Sequence, residues 1–248
     1  MVGDGGNSII SPAWVIEAQG LTKSFNNHLV LRGVDFTVGQ GESVVIFGPN
    51  GAGKTTLIKL LATIMNPSSG SISVDGLNLK KNAEEVRRRI GVVAHQTFLY
   101  GNLTAYENLE FYSRMYDVSG RKERICEVVT TVGMTARLHD RVGTLSRGMQ
   151  QRLSIARSLL HKPTVMLLDE PETGLDQQTT SRLWDVLQTE GERKRTIILT
   201  THNLEWGLEL CDRLLILAQG KIVYEGSGQT LDLAGLKEAY QHSSGVRV

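Results

Sequence analysis

The stretch that decides the fold is SVVIFGPNGAGKTT at residues 43–56, where an apolar segment at 43–47 leads directly into GPNGAGKT at 48–55. The second part matches the phosphate-loop pattern G-x-x-x-x-G-K-[ST], and it stands between a predicted buried strand and a predicted helix. Its glycines let successive backbone N–H groups converge on one anion, and the N-terminus of the helix favours negative charge there. The stretch therefore predicts a site for a nucleoside triphosphate. A glycine-rich turn that matches by chance is the plainer interpretation, which the flanking strand and helix disfavour.

Two side chains of this loop have predicted roles. The ammonium group of Lys54 can reach the β- and γ-phosphates, and the hydroxyl of Thr55 can occupy one position around Mg²⁺. The residues predicted to bind the nucleotide here are Gly48, Pro49, Asn50, Gly51, Ala52, Gly53, Lys54, Thr55 and Thr56.

A second segment, TVMLLDEP at residues 164–171, supplies the carboxylates that such a loop needs. Its apolar run is typical of a fully buried parallel strand, and the run ends in two acids. Asp169 is predicted to bind Mg²⁺, and Glu170 faces differently and is predicted to polarise a water molecule for attack on the γ-phosphate. A strand that simply ends in solvated acids is the alternative, and it becomes unfavourable beside a phosphate loop.

The segment LSRGMQQR at residues 145–152 resembles the signature motif of ATP-binding-cassette (ABC) ATPases, whose usual form is LSGGQ. Further markers of that family stand in its order along the chain. Gln96 matches the Q-loop glutamine, Asp176 closes the D-loop match TGLD, and His202 follows an apolar strand as the switch histidine does. Phe25 stands where the family keeps an aromatic ring that stacks on adenine. The resemblance runs from about residue 15 to about residue 226.

Two positions of the signature depart from the usual form, because Arg147 replaces a glycine and Met149 replaces the glutamine. The resemblance implies that Ser146 and Gly148, which are retained, touch phosphate. Because the signature opens a predicted helix, Ser146 lies at a second helix N-terminus that favours an anion. The departures bear on the rate of turnover rather than on the assignment. An amphipathic helix with a serine cap is the plainer interpretation of this segment alone.

The resemblance also implies a mechanism. In the family, the signature of one subunit closes over the ATP that is held by the phosphate loop of the other, so two nucleotides lie between head-to-tail subunits. The implied roles are a general base for Glu170, a γ-phosphate contact for His202, a γ-phosphate sensor and Mg²⁺ ligand for Gln96, and a part in shaping the facing site for Asp176. The expected protein is thus a homodimeric ATPase that uses ATP and Mg²⁺.

The motifs predict an α/β fold with a P-loop NTPase core built on a mostly parallel sheet. An N-terminal antiparallel β subdomain and an inserted α-helical subdomain, at about 97–160, complete it. The predicted division is a flexible N-terminus at 1–13, the ABC ATPase domain at 14–230, and a C-terminal helix and tail at 231–248. The helix after the phosphate loop is predicted to span 54–65, with Ile64 on its apolar face.

Composition agrees with a single cassette of 248 residues. The net charge of +1 gives no general attraction to nucleic acid. No apolar stretch reaches the length of a membrane span, and the first residues lack the features of a signal peptide. Cys126 and Cys211 lie in apolar helical patterns and are expected to be buried free thiols. The expected location is the cytoplasmic side of the cell membrane, where the chain is peripheral through a separate transmembrane permease.

An aromatic-rich segment, QTFLYGNLT at residues 96–104, follows the Q-loop glutamine. In transporter ATPases the corresponding surface accepts a helix of the membrane subunit, and the predicted apolar anchors are Phe98, Leu99, Tyr100 and Leu103. These side chains could instead fill the core of the helical subdomain. Thr104 is predicted to begin the next helix with a capping box.

Within the family, residues 103–116 resemble bacterial export-type ATPases with a separate membrane partner. The segments at 95–100 and 145–149 are similar to haem-exporter subunits of cytochrome c maturation. ATPases for drug, lipid or polysaccharide efflux remain alternatives, as does a soluble ABC ATPase that serves assembly of the iron–sulfur cluster type. The transported substrate, the direction of transport and the membrane partner are left open by this chain.

Overall fold

The computed structural model describes residues 14–173, 175, 177–190 and 193–244. The strands, in chain order, are β1 Ile16–Phe25, β2 His28–Val38, β3 Ser43–Phe47, β4 Ser69–Val74, β5 Leu77–Asn78, β6 Ile90–Val93, β7 Val165–Asp169, β8 Thr189–Glu190, β9 Arg193–Lys194, β10 Thr196–Thr200, β11 Arg213–Ala218 and β12 Lys221–Ser227. The α-helices are α1 Lys54–Leu61, α2 Ala83–Arg89, α3 Ala105–Met115, α4 Arg121–Thr131, α5 Arg147–Leu159, α6 Gln177–Gln188, α7 Leu204–Leu210 and α8 Leu233–Ser244.

An antiparallel sheet of order β2-β1-β4-β5 forms from the N-terminal part of the chain. Its first hairpin turns at Asn26, whose φ of 51° lies in the left-handed region that asparagine tolerates better than most residues. This sheet was predicted from the short strands and turns of the sequence, and the prediction is confirmed.

The central sheet has the order β12-β11-β3-β10-β7-β6. Its strands are parallel from β11 to β6, and β12 joins the edge antiparallel to β11. Every residue of β3, β7 and β10 is buried, as expected for parallel strands that are covered on both faces. The predicted P-loop NTPase core is confirmed. The carboxyl ends of these five parallel strands meet at one edge, where ligands of such sheets bind.

Alternate side chains of β3 belong to two different hydrophobic cores. Val44 and Ile46 pack with α1 and the antiparallel sheet, whereas Val45 and Phe47 pack with residues of the helices on the other face. This is the two-residue period of a strand with both faces covered. The sheet therefore holds the antiparallel layer and the helical layer in a fixed relation to the loop that follows Phe47.

The inserted helices α3, α4 and α5 lie between β6 and β7 in the chain. The predicted capping box at the start of α3 is confirmed, since the Thr104 hydroxyl accepts from the Glu107 N–H at 3.2 Å and the Glu107 carboxylate accepts from the Thr104 N–H at 2.7 Å. None of the described helices is long and apolar enough to cross a bilayer.

Two local predictions were wrong. The first helix ends at Leu61 rather than at residue 65, because Thr63 turns into the left-handed region at φ 57° and Ile64 is left 47% exposed. Of the two thiols expected to be buried, Cys211 is buried but Cys126 is exposed. Cys126 follows Ile125, which faces the core of the helical layer, and one helical step turns the next side chain about 100° away.

Several predictions concern residues outside the described part. They are the N-terminal segment 1–13, the last residues of the predicted tail at 245–248, and Asp176. The predicted C-terminal helix is present as α8, which extends to Ser244.

Candidate active site

The loop at residues 48–53 connects the end of β3 to the start of α1. A Cβ atom on Gly48 would lie 2.2 Å from the backbone oxygen of Leu217, and one on Gly53 would lie 2.8 Å from a methyl group of Leu31. Gly53 also has a φ of +108°, which side-chain-bearing residues rarely adopt. The loop is therefore wedged between the end of β11 and strand β2, and glycine is required at both of its ends.

The ammonium group of Lys54 is held inside this loop. The residue is only 6% exposed, and its Nζ donates to the carbonyl oxygens of Gly48 at 2.5 Å and Pro49 at 3.2 Å. Burial lowers the pKa of Lys54, while the charges of Glu170 and Asp169 act in the opposite direction. No carboxylate of the described residues forms an ion pair with it. A buried cation that is held only by carbonyl groups fits an incoming polyphosphate.

Asp169 lies at the end of β7 and is 3% exposed. One of its carboxylate oxygens accepts from the Thr55 hydroxyl at 3.2 Å and from the Thr200 hydroxyl at 2.7 Å. Thr55 and Asp169, separated by 114 positions in the sequence, thus lie in contact. Hydroxyl and carboxylate oxygens are ligands that Mg²⁺ prefers, so this donor set fits the predicted metal.

Glu170 follows Asp169 with an unusual backbone conformation. Its φ is 48°, and its N–H donates to the carbonyl oxygen of Thr200 at 3.0 Å. A left-handed conformation costs a residue with a side chain about 1–2 kcal/mol, and such strain is concentrated at functional sites. The turn places the Glu170 carboxylate 3.5 Å from Nδ1 of His202, with both side chains partly exposed. The two residues can therefore act on one solvent molecule or phosphate oxygen.

Two threonines that the sequence analysis did not single out complete this edge of the sheet. Thr200 bonds Asp169 as described, and Thr201 donates to the Glu172 carboxylate. Burial raises the pKa of Glu172, the effect being opposed by its bond from Thr201. Both threonines directly precede His202 in the sequence. Their position at the end of an apolar strand was therefore a signal that could have identified them as site residues.

Gln96 stands three residues beyond β6, on the exposed loop that follows it. Since Val93 of β6 pairs with Leu168 of β7, the loop leaves the sheet at the same edge as Asp169. The residue before it, His95, contacts the signature segment, as its Nδ1 lies 2.8 Å from a guanidinium nitrogen of Arg147. Arg147, which replaces a glycine of the usual signature, thus contacts the residue that precedes the Q-loop glutamine.

Ser146 caps α5, as its hydroxyl accepts from the Met149 N–H at 3.3 Å. Gly148 lies in the first turn of the same helix. Between described residues, no hydrogen bond joins Ser146 to the phosphate loop. The start of the signature helix is exposed, and its N–H groups are directed away from the helix toward any anion beyond it.

Phe25 ends β1 and is 45% exposed, with the Lys23 ammonium 5.1 Å from its ring centroid. Its hairpin partner His28 lies two residues before Val30, which with Leu31 approaches Gly53. The hairpin tip is therefore a neighbour of the phosphate loop, and the ring is open to a planar ligand.

A family model described as ABC transporter matches residues 31–173 of this chain. The protein therefore belongs to the ABC transporter family, of which it is an ATP-binding domain with ATPase activity.

Relatives of known name agree with this assignment. The chain is 34% identical over 240 residues to the linearmycin resistance ATP-binding protein LnrL of Bacillus subtilis (strain 168), covering 91% of this chain and 77% of the relative. It is 38% identical over 218 residues to the Nod factor export ATP-binding protein I of Burkholderia thailandensis, covering 87% and 72%.

Among solved structures, the dimeric structure of MJ0796, a bacterial ABC transporter cassette, superposes with a TM-score of 0.80 at 27% identity, covering 87% of this chain and all of that cassette. A dimeric post-hydrolysis state of the same cassette bound to ADP and Pi gives a TM-score of 0.79.

Proposed function

We propose that this protein is the ATP-hydrolysing subunit of an exporter and works as a head-to-tail homodimer on a separate membrane permease, at the cytoplasmic side of the cell membrane. The observation that carries the proposal is a division of the site. Thr55, Asp169 and Glu170 lie together at the edge of the central sheet, whereas Ser146 begins an exposed helix that is not hydrogen-bonded to them. Two separate half-sites are what a composite pocket between two copies requires.

Each side chain has a proposed part in this pocket. Lys54 exchanges its carbonyl partners for the β- and γ-phosphates, and Phe25 stacks on adenine. Thr55, Asp169 and Gln96 would hold Mg²⁺, and that ion would neutralise charge that develops on the phosphates.

Glu170 takes the proton of the attacking water, and His202, in contact with that carboxylate, bonds the γ-phosphate. Ser146 and Gly148 of one copy close over the nucleotide of its partner. Asp176 helps to shape that facing site.

The export direction rests on the relatives, one named for linearmycin resistance and one for Nod factor export. We therefore propose efflux, with a drug-like compound as the first candidate for the cargo. Haem export, suggested by the short similarities at 95–100 and 145–149, has no support from the relatives named above. An assembly role without a membrane partner is likewise less favoured by them.

A groove beside the Q-loop is the proposed seat of the permease. Its cavity of about 240 Å³ lies between the end of α1, strand β6 and helices α3 and α5. Of the four predicted anchors, Phe98 lines this cavity, and Tyr100 is 51% exposed and contacts Phe111. Leu99 packs against the helical core, as the alternative interpretation of this segment expected.

The proposal is tested by two matched substitutions, Glu170→Gln and Glu172→Gln. Each substitution neutralises one of two nearby carboxylates. The Glu170 carboxylate lies 3.5 Å from Nδ1 of His202, whereas the Glu172 carboxylate accepts a hydrogen bond from Thr201. We expect Glu170→Gln to bind ATP, to accumulate as a dimer in size-exclusion chromatography and to lose turnover by about 10²–10⁴-fold. Glu172→Gln should retain turnover within a few-fold.

Rapid turnover in Glu170→Gln would remove that residue from the role of base. A wild-type enzyme whose specific activity stays constant down to concentrations at which it is monomeric would contradict the composite pocket.

A further inference from the structure

The groove beside the Q-loop is lined by positive charge without a neighbouring negative charge in its lining. Two apolar side chains at its mouth are open to solvent, Ile64 at 47% and Met115 at 56% exposure. Two arginines, Arg87 and Arg157, also line it, and none of its lining residues, all in the described part of the chain, is acidic. At about 240 Å³ the cavity is smaller than the roughly 300–1,000 Å³ of small-molecule sites, so it fits a few side chains of another protein.

Arg157 is the cation at the base of this groove. It is 7% exposed, and one terminal nitrogen donates to the carbonyl oxygen of Val92 at 2.7 Å. Its guanidinium carbon lies 5.1 Å from the ring centroid of Tyr112 and 5.6 Å from that of Phe98. Its Nε is buried without a hydrogen-bond partner, and no described carboxylate pairs with it. Burial lowers the pKa of Arg157, but a guanidinium stays charged in proteins.

The surrounding groups do not supply the missing anion. His161 is neutral near pH 7, because burial lowers its pKa to about 4. The acids on the neighbouring segments already pair with other arginines, since Glu110 binds Arg114 at 2.8 Å and Asp117 binds Arg88 at 2.9 Å. At the mouth, the one hydrogen bond of Arg87 to a described residue goes to the hydroxyl of Thr63. A buried cation without a counterion is unfavourable, and an incoming carboxylate would relieve it.

We infer that the segment of the permease that enters this groove carries an aspartate or glutamate, flanked by apolar residues, whose carboxylate pairs with Arg157. The inference rests on the proposed function and adds the chemistry of the partner. A guanidinium can donate two parallel hydrogen bonds to one carboxylate, which gives the contact orientation as well as strength. Arg87 at the mouth attracts the same segment, and Ile64 and Met115 cover its apolar flanks.

The test uses the full-length chain and the multi-span membrane protein that copurifies with it from native membranes. Each Asp and Glu in the cytoplasmic segments of that membrane protein is changed to Asn or Gln, and the affinity of the detergent-solubilised pair is measured by surface plasmon resonance. We expect one position to weaken binding by about 30-fold or more, since removing one member of a buried charge pair leaves the other unpaired.

On the side of this chain, Arg157→Lys keeps the charge but loses the fork of donors, and Arg152→Lys on the same helix is the matched control. Arg157→Lys should weaken binding to the wild-type membrane protein, but it should have little further effect when the identified acid is already neutralised. Arg152→Lys should leave binding unchanged in both cases. The substitutions of Asp and Glu in the membrane protein leave this chain unaltered. Their result therefore remains interpretable even if Arg157→Lys folds poorly.

If the pair forms but every neutralised acid binds within threefold of wild type, the inference is wrong while the proposed function stands. If the wild-type chain forms no complex with any membrane protein, the proposed function fails and the inference fails with it.

Discussion

His161 is expected to make the protein less stable as the pH falls below neutrality. Its ring stacks on Tyr116 at 4.0 Å between centroids, and its Nε2 lies 2.9 Å from the carbonyl oxygen of Ile90. Because a carbonyl oxygen only accepts, Nε2 carries the proton, and Nδ1 is left buried without a partner. Burial, aided by the charges of Arg157 and Arg124, lowers the pKa of His161 from 6.5 to about 4.

The size of the effect follows from this pKa difference. The unfolded chain takes up the proton near pH 6.5, whereas the folded chain resists it until about pH 4, so stability is complete above the first value and falls between the two. A pKa difference of one corresponds to about 1.4 kcal/mol, which makes the loss between pH 7 and pH 5 about 2 kcal/mol for this group.

The assay is urea unfolding followed by tryptophan fluorescence, at pH 7 and pH 5, for the wild type and for His161→Gln. Glutamine can still donate to the Ile90 carbonyl but does not titrate, so the wild type should lose about 2 kcal/mol more free energy of unfolding than the variant on acidification. An imidazole NMR titration gives a direct check in the folded state. A His161 ring that titrates near its ordinary pKa in the folded protein would refute the reasoning.

Three further substitutions test the site and the helical layer. Ser146→Arg should leave the nucleotide affinity of the monomer unchanged but prevent ATP-dependent dimerisation, and a dimer that survives would place Ser146 away from the partner's phosphate. Gly48→Ala should weaken binding of a fluorescent ATP analogue by at least about tenfold, because its Cβ would lie 2.2 Å from a backbone oxygen. Gly101→Ala, whose Cβ would meet nothing nearer than 3.8 Å, is the control, and equal affinities would contradict the wedged loop. Thr104→Ala should lower the free energy of unfolding by about 1 kcal/mol and Thr104→Ser by much less, since only alanine removes the cap; equal losses would argue against it.

The sequence predicted the site and the fold best where the local backbone or the ligand requires one residue type. The phosphate loop, the acids after the buried strand and the capping box at Thr104 each combine a backbone requirement with a fixed spacing, so the structure reproduces them. Asp169 and Thr55 meet because parallel strands end at one edge, a rule that needs no knowledge of distant contacts.

Other features depended on tertiary packing and were not predictable. The sequence of α5 does not reveal that Arg157 is buried between two rings contributed by other segments. The end of α1 depends on a left-handed turn at Thr63, a residue with no marked preference for that conformation. Thr200 stands at the end of an apolar strand in the sequence, but its hydrogen bond to Asp169 follows only from the position of β10 beside β7 in the sheet.

Strand β6 connects the groove to the loop that carries Gln96. The carbonyl groups of Ile90 and Val92 hold His161 and Arg157 at the groove, and Gln96 follows Val92 by four residues. Four extended residues span at most about 13 Å. The carbonyl group that holds Arg157 is therefore at most about 13 Å along the backbone from Gln96, so a displacement of Arg157 can reach the glutamine through the end of β6 and the short loop after it.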